Sequence, residues 1–355
     1  MLRTISVMTS FLIIFMLALI GFTILIEDPS PISTEKWEED NDRHIESDEA
    51  DSSVNRITES GSVHEETVGL HATSEELQSR FGKPDQVFWT PYGYEWWRFD
   101  EVVTPHLYGI QNGTVVTKMI VENGSSVNGI SIGESYESVR NRFDYQDEVD
   151  LGGVMSSYVF DLTEEDVLTK PLVILESGDY AQLYFDKFDG SLTAVRKQTE
   201  EVLLTQRPYS LSYRGSLIEP EELAGDEMIQ WQEGQEELIH ILSNHFREQK
   251  GLYSMEKAED VRLIARAHSR DMYSNGFFAH DSPNTGSLAD RLNEDDVNFQ
   301  GAAENIAAHY IDSLEVVNGW LNSEGHRVNL LSEDFTYVAS GVYDFYYTQN
   351  FINYR

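Results

Sequence analysis

Three patterns of apolar and polar positions succeed one another along this chain. Residues Ile5 to Ile26 carry no charge and are predominantly apolar. As a helix they would extend about 33 Å, enough to cross a hydrocarbon core of about 30 Å. Arg3 precedes the run, and Glu27 and Asp28 follow it, an asymmetry that keeps the N-terminus in the cytoplasm and exports the rest. The expectation is a transmembrane anchor at 5–26 behind a short cytoplasmic end at 1–4, with a cleaved signal peptide as the alternative. From 27 to 66 Asp, Glu and Ser crowd out apolar residues. Such a segment has too little apolar surface to order itself and reads as a disordered acidic linker, with His44 and His64 as plain tail residues.

The second pattern, 67–206, mixes short helical and alternating stretches and contains a divergent internal repeat. LHATSEELQSRF (Leu70–Phe81) aligns with IGESYESVRNRF (Ile132–Phe143), pairing Leu70 with Ile132, Leu77 with Val139, Arg80 with Arg142 and Phe81 with Phe143. Each copy opens on a hydroxyl cap, and Thr73 with Glu76 forms a capping box. Strand-like runs follow: Tyr94–Phe99, Val115–Val121, Ser157–Asp161, Leu172–Leu175, Ala181–Phe185 and Leu192–Arg196. Asn112-Gly113 and Asn123-Gly124 read as turns. The prediction is two helix-plus-antiparallel-sheet units, with Trp89, Trp96 and Trp97 packing inside or between them. A connector rich in Pro, Gly and Glu covers 207–233.

From 234 to 355 the helical period dominates. Leu238, Leu242 and His245 share a face of a helix that Gly251 stops. Val261, Ile264, Ala265, His268 and Met272 form one stripe of a second helix, about Met255–Ser274, which makes His268 a packed histidine with one satisfied nitrogen. A loop at Phe277–Pro283 and a short helix with Leu288 and Leu292 come next. Asp312 caps a further helix, with Glu315 completing a capping box and Leu314, Val317, Trp320 and Leu321 as its core face. Two strands, Thr336–Tyr343 and Tyr347–Ile352, end the chain.

Composition narrows the function. The chain has no cysteine, which removes disulfides, thiolate nucleophiles and thiolate metal sites and favours a bacterial source. The formal net charge is −37, so phosphate backbones are repelled and nucleic acid is excluded as a partner. Anionic lipid and anionic wall polymers are disfavoured too.

The ordered series ARAHSRDM, GFFAHDSP, AENIA, VVNGWLNSEGHRVNLL and FTYVASGV resembles the bacterial branch of the CAP superfamily, the SCP-like domains related to cysteine-rich secretory proteins, antigen 5 and pathogenesis-related proteins. Phe81-Gly82-Lys83-Pro84 with Tyr92-Gly93-Tyr94-Glu95-Trp96 resembles the CAP-associated N-terminal domain. Ala303 stands where the family carries Gly before Glu-Asn. The resemblance implies a C-terminal α-β-α sandwich CAP domain, and with the patterns above the expected fold is α+β: that domain, preceded by a β-rich α+β repeat domain and one N-terminal transmembrane helix. It also implies a cleft lined by His280, Glu304, His326 and, from the weakest part of the match, Glu324. Glu324 and His326 are two apart and would diverge on a regular helix; Gly325 is read as breaking it.

Imidazole with carboxylate suits zinc or a similar divalent ion or, without metal, a general base. No HExxH, GxSxG or cysteine motif supports turnover. Three readings stand: a hydrogen-bonded structural network, a metal- or ligand-binding cleft, and a metal-dependent, peptidase-like hydrolase. Asn305 is expected to bond backbone, Arg327 to pair with a carboxylate and Ser282 to serve a turn. The leading expectation is a membrane-anchored extracytoplasmic binding or scaffolding protein of the bacterial envelope, with an envelope ligand or protein as partner.

Overall fold

The computed structural model describes residues 68–100, 106–143, 145–152 and 156–355. The expected anchor at 5–26 and linker at 27–66 lie outside the described residues. Among the described residues no helix is long and apolar enough to cross a membrane.

The first half of the repeat opens with α1 (Ser74–Phe81), whose capping box is closed: Thr73 accepts from the Glu76 amide, and the Glu76 carboxylate accepts from the Thr73 amide at 2.7 Å. A meander follows: β1 (Gln86–Trp89), β2 (Glu95–Phe99), β3 (His106–Gln111) and β4 (Thr114–Ile120). Asn112 and Gly113 join β3 to β4 with φ of 51° and 73°, the left-handed pair that a two-residue hairpin needs. After a small hairpin, β5 (Ser126–Val127) and β6 (Ile130–Ser131), α2 (Tyr136–Arg140) begins the second half. It continues through β7 (Glu148–Asp150), β8 (Ser157–Asp161), α3 (Glu164–Thr169), β9 (Leu172–Ile174), β10 (Tyr180–Phe185), β11 (Leu192–Gln198) and α4 (Glu200–Gln206).

Both halves lock their helix to their last hairpin in the same way. The Ser74 amide donates to Gly113 O at 2.9 Å, and the Tyr136 amide to Gly190 O at 2.7 Å. His71 and Gly133, just before the caps, donate likewise to Val115 O and Leu192 O. The halves nevertheless do not form two independent sheets. β1–β4 and β9–β11 fuse into one seven-stranded sheet in the order β1-β2-β3-β4-β11-β10-β9, joined where Ile120–Thr117 of β4 pairs with Val195–Gln198 of β11, while β7 and β8 pair in a separate small sheet. Fusion satisfies two strand edges that separate units would leave open. The expected connector at 207–233 is also largely structured. β12 (Ser210–Arg214) pairs with β8 over five residues, and α5 (Asp226–Gln249) is already helical there, with Trp231 buried.

The C-terminal elements are α5, β13 (Glu256–Lys257), α6 (Glu259–Asn275), α7 (Leu288–Glu294), β14 (Phe299–Ala308), α8 (Ser313–Leu321), α9 (Glu324–Leu330), β15 (Tyr337–Tyr343) and β16 (Tyr346–Tyr354). Their sheet runs β13-β15-β16-β14. Strand alternation gives it two apolar faces. Val338, Val342, Tyr347 and Phe351 meet α5 and α8, whereas Ala339 and Ile352 meet Val261 and Ile264 of α6. The result is an α-β-α sandwich. Gly341 lets α6 lie directly on β15: a Cβ there would stand 1.9 Å from the Arg266 backbone nitrogen.

Both sheets lie in one compact unit and share a core. Phe88, Tyr94 and Trp96 cluster with Trp231, Leu238, Leu314 and Trp320, and Trp96 is fully buried. Charges cross the same seam. Arg196 pairs with Asp312, both buried, and Arg327 makes two bonds of 2.9 Å to Asp186. Asp312 caps α8 through the Leu314 and Glu315 amides. Glu315 does not close the predicted box. Its carboxylate reaches across to Lys170 at 3.1 Å, Gln182 at 3.2 Å and Tyr184 at 3.4 Å, because a nearby cation offers a buried carboxylate more than a backbone amide can.

Candidate functional site

Glu304 is the centre of the site. It lies in β14, paired with Asn350 of the central strand β16, and its side chain is 3% exposed. A carboxylate so buried must be paired, and both oxygens are. Oε1 accepts from His280 Nδ1 at 3.0 Å; Oε2 accepts from Arg291 Nη2 at 2.5 Å. His268 Nε2 stands 3.8 Å from Oε1 while donating to Ala279 O at 3.1 Å. Arg291 also donates from Nη1 to His280 O at 3.0 Å and Gly286 O at 3.1 Å. One guanidinium thereby fixes both the carboxylate and the loop that carries His280. The Ser287–Asp290 capping box sets the start of α7 and so aims Arg291 inward.

His280 is the accessible member, with a side chain 54% exposed. Donation from Nδ1 to Glu304 leaves Nε2 as the outward acceptor. The loop is held from below by Ser282, which donates to Asp271 at 2.5 Å and accepts from the Asn284 and Thr285 amides. It is a turn residue, as expected. Burial opposes charge on Asp271, but bonds from Ser282, Asn284 and Asn275 outweigh it and hold its pKa below the usual range.

His326 approaches from α9. Asn305 donates to His326 O at 3.1 Å, and Asn329 donates to Asn305 Oδ1 at 3.0 Å and to Glu304 O at 3.3 Å, stitching α9 to β14. The Asn305 bond is to backbone, though of α9 rather than its own loop. His326 Nδ1 lies 2.8 Å from Ser323 Oγ. Burial, and then the neighbouring His280, lowers the His326 pKa. Burial lowers that of His268 as well, against the opposing pull of Glu304.

Glu324 does not join this group. Gly325 lies inside the continuous helix α9, so it does not break it. Residues two apart on a helix point to opposite sides, and exposed Glu324 lines a separate cavity of about 490 Å³ that includes Lys170, Lys187 and Glu315.

The comparisons agree along most of the described length. The CAP-associated N-terminal family model matches residues 70–209, and the cysteine-rich secretory protein (CAP) family model matches 241–354. The membrane protein YlbC of Bacillus subtilis strain 168 is 37% identical over 319 residues, covering 90% of this chain and 91% of its own. The chain belongs to the CAP family. The chain is also 37% identical over 119 residues to YkwD of the same organism, 33% of this chain and 46% of YkwD. An extracellular SCP-domain protein from Bacillus anthracis has a solved structure with TM-score 0.76 and 40% identity, covering 80% of this chain and 93% of its own. A cysteine-rich secretory protein from Staphylococcus aureus shares the fold at TM-score 0.72 and 23% identity, over 80% and 91%.

In this CAP protein the donor set does not suit a divalent ion. Arg291 occupies one oxygen of Glu304, so a metal would sit beside a guanidinium. Among the described residues no three His, Asp or Glu side chains are placed to hold one. Sequence alone does not single out Arg291, and it reads His268 as packing. The available signal for Arg291 is its spacing: it stands three residues after Leu288 and beside Leu292, on the face that α7 buries.

Proposed function

We propose that this CAP protein is a membrane-anchored extracytoplasmic binding module of the bacterial envelope that engages its ligand through His280 and His326. The membrane assignment rests on the 5–26 run together with the name of YlbC, and the extracytoplasmic one on the similarity to an extracellular protein of B. anthracis. The observation that carries the binding reading is the pairing of both Glu304 oxygens. A carboxylate already neutralised by Arg291 is a scaffold for imidazole rather than a metal ligand. With a net charge of −37, the chain suits a protein or neutral glycan partner better than a polyanion. Retention of the protein on fractionated envelope components tests this. His280→Ala with His326→Ala should abolish retention; equal retention by the double variant ends the proposal.

One observation favours hydrolysis as the alternative. His280 is oriented by Glu304 through Nδ1 and presents Nε2 outward, the arrangement of a general base. Peptide and ester substrates would then be turned over by the native protein and not by His280→Ala. The chain has no cysteine, and the Ser282 hydroxyl of the same loop is committed to Asp271, so water would be the attacking group.

A further inference from the structure

Two open strand edges border one groove in the repeat module. β9 is the last strand of the seven-stranded sheet, and β7 is the last strand of the small sheet it forms with β8 and β12. A groove of about 360 Å³ runs between them, lined by every residue of both strands, Glu148 to Asp150 and Leu172 to Ile174. It takes no residue from β8 or β10, so it lies on the unpaired side of each strand. At about 3.3 Å per residue, each bank is about 10 Å long.

The registers decide which backbone groups point to that side. In an antiparallel pair, alternate residues exchange both N–H and C=O with the neighbouring strand, and the residues between them direct both away. The Leu183 amide donates to Pro171 O at 3.0 Å, and the Leu175 amide to Asp179 O at 2.8 Å, with Val173 opposite Ala181. Leu172 and Ile174 are therefore the residues whose backbone groups leave β9 on its open side. On β7 the Leu162 amide donates to Asp147 O at 2.7 Å, and the Leu151 amide to Tyr158 O at 3.0 Å. Glu148 and Asp150 are thus the outward residues there. Among the described residues, no other strand pairs with either edge. β9 has none of the charges, prolines or bulges that guard an open edge, and its Ile174 is apolar and 52% exposed.

The side chains select what could fill the space. Val149 and Leu172 share a core cluster, so strand alternation places Ile174 on that face and Glu148 and Asp150 on the other. Both carboxylates are exposed; Asp150 accepts only the Gly152 amide, at 2.8 Å. The cation at the rim, Arg142, is committed to Glu134 and to Gly129 O. The groove therefore carries uncompensated negative charge on one face and an apolar contact on the other. That sign rejects the chain's own 27–66 segment, which is dense in Asp and Glu, and favours a cationic one.

We propose that this groove binds an extended basic segment of another protein, alternating Lys or Arg with apolar residues, which adds to β9 as a further strand. Its cations meet Glu148 and Asp150, and its apolar side chains meet Ile174. The site uses neither His280 nor His326.

The test is fluorescence anisotropy of a labelled heptapeptide alternating Lys and Val, titrated with the full-length protein in a non-ionic detergent. The peptide should bind, and its Glu-Val counterpart should not. A chain of net charge −37 attracts any cation, so the backbone supplies the decisive comparison. Two further Lys-Val peptides, methylated on alternate amides in opposite registers, keep every charge and side chain. Successive amides of a strand point to opposite sides, so at least one methylated peptide should lose binding. Glu148→Gln with Asp150→Asn should weaken the parent peptide about tenfold, the value of two exposed ion pairs. Ile174→Lys, which sets a like charge beside the added strand, should weaken it too. No binding of the Lys-Val peptide, equal binding of both methylated peptides, or unchanged affinity in Ile174→Lys would each overturn the proposal.

Discussion

Arg291 shows how much one side chain can settle. It is 5% exposed and faces a carboxylate that is 3% exposed. Removing one partner of such a pair leaves the other charge buried and costs about 3–5 kcal/mol. Arg291→Met should therefore lower the stability measured by denaturant unfolding by that amount. Arg291→Met combined with Glu304→Gln should lose less than the sum of the two single changes, since neither bare charge then remains. The histidines make a second prediction at this scale. Burial lowers the pKa of His240, His245, His268 and His326. The folded chain then binds fewer protons than the unfolded one below about pH 6.5, so stability is complete above that pH and falls as pH drops. For His240, held at about 4, the loss between pH 6.5 and 4 is roughly 3 kcal/mol. Unfolding midpoints at pH 7 and pH 5 would measure it, and His240→Phe should flatten the profile.

At the scale of elements, caps and close approaches matter most. Asp312 has two tasks: it caps α8 and neutralises Arg196, which is fully buried. A lost cap alone costs about 1 kcal/mol, so Asp312→Ala should cost several times that, whereas Asp290→Ala at the exposed start of α7 should stay near the capping value. Thermal unfolding of the two variants would separate the effects. Gly341→Ala should be worse still. Its Cβ would meet the α6 backbone rather than a movable side chain, and overpacking that no rotamer can relieve costs more than the usual 1–3 kcal/mol or so. The soluble yield of the folded protein reads this directly. The caps at Thr73 and Asp312 were legible from residue type and spacing. The direction of Glu315 was not, because Lys170 lies 145 residues away and only folding brings it within reach.

For the whole molecule, the shared core implies one unfolding event. Trp96, Trp231 and Trp320 belong to a single cluster spanning both modules, so neither module can open without exposing the other's aromatic surface. Calorimetry should show one transition whose calorimetric and van't Hoff enthalpies agree. Two resolved transitions would mean that the modules are independent and that the seam contributes little.

The chain's own pattern determined the order of the modules, the repeat and most strands, though not β1, β3 or β14, the strand that carries Glu304; the family resemblance pointed to His280, Glu304 and His326. Those features are carried by local periodicity, by turn and cap chemistry and by motif order, all of which are properties of neighbours in sequence. Folding alone decided that the repeat halves fuse into one sheet, that Arg291 and His268 surround Glu304, and that Glu324 faces the module boundary instead. Each of these depends on which distant edge, charge or backbone turn arrives at a given place. A strand edge or a buried carboxylate specifies that it must be satisfied, but not by which residue; the three-dimensional packing makes that choice.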